Sequence, residues 1–174
     1  TDKPEDIEAA KKVYFGFYNP MSNWTWNVAW FSDPVFLGHY PKEGLEQFKE
    51  YLPEITDADM ELIHQPLDFM GQNIYNGYYI RAGENGEPEF VAREPGFPKT
   101  GTDWPVTPKA FYYGIKFLTE RYPLPLYITE NGMGCHDNVA PDGRVHDNDR
   151  ITFLDSYIGA MQQAMQEGAD VRGY

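Results

Sequence analysis

Glu130 closes a short apolar run, Leu126-Tyr127-Ile128-Thr129-Glu130, and Asn131-Gly132 follows it at once. Leu126 and Ile128 suit a buried strand, and Asn-Gly is a strong turn signal. The spacing therefore places a carboxylate at the C-terminal edge of a strand, where α/β and barrel enzymes hold their reacting groups. Asn73 and Tyr75, two residues apart at the end of another apolar stretch, share one side of their strand. If the two strands are neighbours, an amide and a phenol lie beside the Glu130 carboxylate. A phenol so placed can donate to a carboxylate and hold it ionised and oriented. On spacing alone, the balance lies slightly with ordinary strand-end side chains and a solvated glutamate.

The elements that must position them alternate. Ile7, Ala10, Tyr14, Phe17 and Tyr18 recur at helical spacing after Pro4, predicting a helix to about Asn19-Pro20. Residues 21–42 read as an aromatic loop. Leu45, Phe48 and Leu52 predict a short helix, and Thr56 caps another through about His64. Residues 67–75 read as a strand, and 81–103, rich in Gly, Pro and Glu, as a long loop. Thr107-Pro108 opens a helix bearing Phe111, Ile115, Leu118 and Tyr122; the Glu130 strand follows, then a polar loop over 132–147. Asp149 is expected to cap a helix presenting Ile151, Leu154, Ile158, Met161 and Met165, which Gly168 ends before a strand at 171–174. Strands alternating with helices predict an α/β fold with parallel strands.

Composition narrows the partners. The 174 residues include 14 basic and 27 acidic side chains, a net charge of −13, which disfavours nucleic acid and anionic membranes. Aromatic content is 16%, which suits stacking on sugar faces, but a packed core is the default reading for most of these residues. Cys135 is the single cysteine, so no internal disulfide forms, and no local base pattern marks it as a nucleophile. Neither a signal peptide nor an apolar run of the ~18 residues that a membrane span needs is present, which gives a cytoplasmic expectation. Asn23-Trp24-Thr25 matches a glycosylation sequon. His136, Asp137, Asp142, His146, Asp147 and Asp149 crowd one loop, but in neither EF-hand order nor helical pairing, and read as a polar surface loop rather than a metal site.

Words along the whole chain resemble glycoside hydrolase family 1, the retaining β-glucosidases. Tyr127-Ile128-Thr129-Glu130-Asn131-Gly132 is similar to that family's nucleophile motif. Trp30-Phe31-Ser32-Asp33-Pro34 and Gly38-His39-Tyr40-Pro41 resemble its Trp-Phe-x-Asp-Pro and Gly-x-Tyr-Pro words. Asp68-Phe69-Met70-Gly71 to Asn73-Ile74-Tyr75 resembles its sixth barrel strand, and Trp104-Pro105 to Pro108 the segment before the seventh. Asp149-Arg150-Ile151 to Leu154, then Asp170-Val171-Arg172-Gly173-Tyr174, resemble the following helix and the start of the eighth strand.

The resemblance implies part of a TIM (β/α)8 barrel: a C-terminal portion of one domain spanning residues 1–174, with strands six, seven and the opening of eight. It implies Glu130 as nucleophile, Tyr75 as its hydrogen-bond donor, Asn73 lining the pocket and Trp104 stacking on the leaving-group sugar. Its substrate would be a β-glucoside or cello-oligosaccharide, without cofactor or metal. The family's general acid lies in an Asn-Glu-Pro motif that this sequence does not contain. The look-alikes Asn85-Gly86-Glu87-Pro88 and Arg93-Glu94-Pro95 read as solvated loop carboxylates. The expectation is therefore that another chain or further residues complete the barrel and supply the acid. The isolated chain is then expected to be inert or only sugar-binding. The specificity of the parent stays open among glucoside, galactoside and 6-phospho-glycoside.

Overall fold

The computed structural model describes residues 2–17 and 27–174. The Asn23-Trp24-Thr25 sequon, Tyr18 and Asn19-Pro20 lie outside them. The chain divides into two compact units, Thr1–Leu67 with Tyr79–Val91, and Asp68–Tyr78 with Ala92–Tyr174.

Among the described residues, the first unit holds four helices and a hairpin. Helix α1 (Pro4–Phe15) starts on a proline and ends at Gly16, so Phe17 falls beyond it. The expected aromatic loop over 21–42 instead contains helix α2 (Val28–Phe36). Its cap is Asn27, whose side chain accepts from the Trp30 N–H at 2.8 Å. The helix was hidden in the sequence because Pro34 lies inside it and its buried residues, Ala29, Trp30, Ser32, Asp33 and Pro34, leave no clean polar face. Helix α3 (Lys42–Phe48) is short. Helix α4 (Asp57–Ile63) opens on the expected Thr56, in a capping box with Asp59. The expected loop over 81–103 is also corrected in part. Strands β2 (Tyr79–Ala82) and β3 (Pro88–Val91) pair antiparallel across the Gly83–Glu87 turn, and Arg81 bonds Glu89 at 2.8 Å. Its Gly, Pro and Glu content describes the hairpin's tip and exposed strand β3 rather than one open loop. Buried Asp6 of α1 accepts from the Ala82 N–H at 2.9 Å and ties helix to hairpin.

The second unit is the layer that carries the site. Strand β1 (Met70–Asn73), shorter than the stretch 67–75, pairs parallel with β4 (Leu126–Glu130), which pairs parallel with β5 (Val171–Gly173). Along β4, Leu126 and Ile128 are buried while Tyr127 and Thr129 are exposed, the period-two pattern that fixes register, and Glu130 at the strand end departs from it by being exposed. Parallel neighbours need crossovers. Helices α5 (Pro108–Arg121) and α6 (Asn148–Gln166) fill that role between β1, β4 and β5. They pack through Phe111, Ile115, Leu118, Phe153, Tyr157 and Ala164, all buried. The cap of α6 is Asp147 rather than the expected Asp149, and it makes no side-chain cap bond. Its carboxylate is instead bonded to Arg150.

At the far end of the helix pair, Glu167 accepts from the Tyr112 hydroxyl, from Gln163 at 3.0 Å and from Lys116 at 3.1 Å. The Tyr112 bond first, then Gln163 and Lys116, hold its carboxyl down from 4.5 to about 2. A depressed carboxyl contributes stability that is present above its unfolded pKa and is lost as pH falls through the folded one. Glu167→Gln should therefore flatten the fall of the urea midpoint between about pH 4.5 and about pH 2. An unchanged slope in that window would refute the assignment.

Candidate active site

The parallel pairing of β1 with β4 sets Asn73 opposite Glu130 at the C-terminal end of both strands, after an irregularity between Gln72 and Asn73. One residue on, the Ile74 N–H still bonds the Glu130 carbonyl at 3.0 Å. The chain then turns, and the Tyr75 hydroxyl donates to Glu130 Oε2 at 2.7 Å. That bond, then desolvation and the carboxylate's charge, raise the Tyr75 pKa, so the phenol stays a donor across the ordinary pH range.

Asn73 does not bond Glu130 in this arrangement. Its Oδ1 accepts from the Thr129 hydroxyl at 2.6 Å, which fixes the amide plane beside the carboxylate. Asn131, legible in the sequence only as a turn residue, straps the strand ends. Its Nδ2 donates to the Ile74 carbonyl at 2.8 Å, and its Oδ1 accepts from the Tyr174 hydroxyl at 3.0 Å. Residues from the ends of β1, β4 and β5 are thereby joined around Glu130.

Trp104 meets the site through Tyr75. The two rings lie edge to face, with centroids 5.2 Å apart, and 47% of Trp104 is exposed. Its loop is a tight turn in which the Thr100 N–H bonds the Trp104 carbonyl at 2.8 Å and the Thr100 hydroxyl accepts from the Trp104 N–H at 3.2 Å. This turn touches the loop that follows Glu130, since the Gly101 N–H bonds the Gly134 carbonyl at 2.7 Å. A Cβ on Gly101 would fall 3.0 Å from that same oxygen, and one on Gly134 would fall 2.9 Å from Thr102 Cγ2. Glycine suits Gly101 because the opposite main chain approaches so closely, and Gly134 because the Thr102 methyl occupies the place of a Cβ.

The loop over 132–147 is organised by ion pairs. Arg150 grips Asp137 with both terminal nitrogens at 2.8 Å and also bonds Asp147, while His146 meets Asp142 at 2.9 Å. Among the described residues, no group of three His, Cys, Asp or Glu side chains could hold a metal ion. Glu87 and Glu94, the acids of the two look-alike words, are both exposed. No helix among the described residues is long and apolar enough to cross a membrane.

Residues 4–174 match the model of Glycosyl hydrolase family 1. The chain belongs to this family. Beta-glucosidase A of Thermotoga maritima is 37% identical over 175 residues, covering all of this chain and 37% of that protein. A 6-phospho-beta-galactosidase of Clostridium acetobutylicum is 30% identical over 204 residues, covering all of this chain and 41% of its own length. The solved beta-glucosidase from Thermotoga maritima in complex with castanospermine superposes with a TM-score of 0.76 at 36% identity, over 99% of this chain and 37% of that one. The chain thus spans well under half the length of the relatives it matches. Its fold is part of a TIM barrel.

Proposed function

We propose that this chain carries the nucleophile half of a retaining β-glycosidase acting on β-glucosides, with β1 and β4 as barrel strands six and seven and β5 opening the eighth. The observation that carries the reading is the 2.7 Å bond from the Tyr75 hydroxyl to Glu130 Oε2 at the ends of two parallel strands. It leaves Oε1 as the attacking oxygen. Glu130 forms a bond to the anomeric carbon, the bond to the leaving-group oxygen breaks, and that oxygen takes its proton from a general acid outside this chain. Water activated by the same group, now a base, then releases the sugar. The Asn73 amide nitrogen donates to a sugar hydroxyl, and the exposed Trp104 ring stacks on the leaving-group sugar or aglycone. Further residues or another chain complete the barrel. The kinship with both a beta-glucosidase and a 6-phospho-beta-galactosidase leaves the sugar itself to be measured.

Glu130 can be tested apart from the acid. A dinitrophenolate leaves without protonation, so a dinitrophenyl glucoside fluorinated beside the anomeric carbon needs only the nucleophile to react. Mass spectrometry of a full-length family chain carrying this segment should find one glycosyl adduct, on the peptide containing Glu130. An adduct on another carboxylate, or turnover with inversion at the anomeric carbon, would overturn the reading.

A further inference from the structure

The segment that presents Tyr75 is held by side chains far from it in sequence. Tyr157 of α6 is fully buried, stacked on Phe153 with centroids 4.0 Å apart and flanked by Phe111 at 5.2 Å. Its hydroxyl donates to the Tyr75 carbonyl at 3.0 Å and accepts from the Thr107 N–H at 2.8 Å. Thr107 is itself fully buried, and its hydroxyl accepts from the Gly77 N–H at 3.1 Å. Arg93 donates to the Gly77 carbonyl at 2.9 Å. A Cβ on Gly77 would lie 2.8 Å from the Ala110 Cβ, so this turn is seated directly on α5. The main chain of residues 75–77 is thereby fixed at three polar groups. Only one of these bonds, from Tyr157, reaches the residue whose phenol holds Glu130.

We propose that Tyr157 is a positioning residue for the reaction, its buried hydroxyl aiming the Tyr75 phenol at Glu130 through the Tyr75 carbonyl. The inference rests on the reading of Glu130 as the nucleophile. Tyr157→Phe keeps the ring and its stacking but removes the oxygen, leaving the Tyr75 carbonyl and the Thr107 N–H without their bonds. The Tyr75 peptide is then free to rotate, and the phenol loses its aim. A misplacement on the scale of an ångström at a reacting group costs rate rather than substrate affinity.

The test is a double-mutant cycle in a full-length family chain carrying this segment, with nitrophenyl β-glucoside as substrate. Tyr157→Phe should lower kcat about tenfold and leave KM within about twofold. In a Tyr75→Phe background, where there is no phenol to aim, adding Tyr157→Phe should change kcat by less than about twofold. A tenfold loss that recurs in both backgrounds, or kcat near that of the parent in the single variant, overturns the proposal. Thr107→Val, which removes only the Gly77 tether and keeps the Tyr157 bond to the Tyr75 carbonyl, is the control. Its kcat should stay within about twofold of the parent, and a loss as large as that expected of Tyr157→Phe overturns the proposal, because the aim would then not depend on the Tyr157 hydroxyl. Glu130→Gln is run alongside. Turnover surviving in that variant defeats the nucleophile reading and the inference with it. Turnover abolished there leaves the cycle to judge Tyr157 alone.

Discussion

Glu130→Gln should remove turnover of an aryl β-glucoside in a full-length family chain, a fall of at least about 10⁴-fold in kcat. The amide is nearly isosteric, so the strand end, the Ile74 N–H bond to the Glu130 carbonyl and the Asn131 strap remain in place. What is lost is the anionic oxygen. A neutral amide oxygen attacks an anomeric carbon poorly, and the Tyr75 phenol would face an amide instead of a carboxylate. Steady-state rates beside a melting curve separate the two possible causes of a loss. Inactive protein that melts like the parent supports the assignment, and near-normal turnover sinks it.

The largest expected effect on stability lies at Phe111. This side chain is fully buried on α5, and its ring lies 5.2 Å from Tyr157 across the seam with α6. Phe111→Ala removes the contacts of a full aromatic ring from a site whose neighbours are held by secondary structure, at a cost of about 3–5 kcal/mol. Against the roughly 5–15 kcal/mol that stabilises an ordinary domain, such a loss is severe. Urea unfolding followed by far-UV circular dichroism measures it, and Phe111→Leu should recover much of the difference. A loss under about 1 kcal/mol would mean that the seam collapses around the gap or that Phe111 is not central to it.

How much of this was legible in the sequence depended on the range of the interaction. The Glu130 strand was readable because Leu126 and Ile128 alternate with Tyr127 and Thr129; Tyr75 does reach Glu130, but from beyond a turn, since β1 ends at Asn73 and the two residues do not share one side of a strand. Thr56 was readable because a capping box is local. Helix α2 was not, since Pro34 lies inside it and its buried residues include Ser32 and Asp33 while Phe31 is exposed, so neither usual helix signal survives. The β2–β3 hairpin was masked by the same Gly, Pro and Glu residues that build its turn. Asn73 was expected beside the carboxylate and does lie opposite Glu130, but its oxygen is taken by Thr129, a partner that no spacing rule names. Tyr157 was not singled out at all: the expected apolar face of its helix was Ile151, Leu154, Ile158, Met161 and Met165, whereas Ile151, Ile158 and Met165 are exposed and Phe153, Tyr157 and Ala164 are the buried ones. The Tyr157 hydroxyl acts on a main-chain carbonyl 82 positions away, and the sequence around Tyr157 does not encode that pairing.

The close approach of Gly101 to Gly134 bears on how such a site diversifies. The turn carrying Trp104 and the loop following Glu130 meet main chain to main chain at Gly101, while the space beside Gly134 is taken by the Thr102 methyl. A carbon added at Gly101 meets the Gly134 carbonyl at 3.0 Å and one added at Gly134 meets the Thr102 methyl at 2.9 Å, so a change at either codon must be matched by a shift of the opposite loop. The ring at position 104, nearly half exposed, is under no such restriction. Change among relatives should therefore accumulate at the exposed tip of the turn while the two glycines at its root are kept.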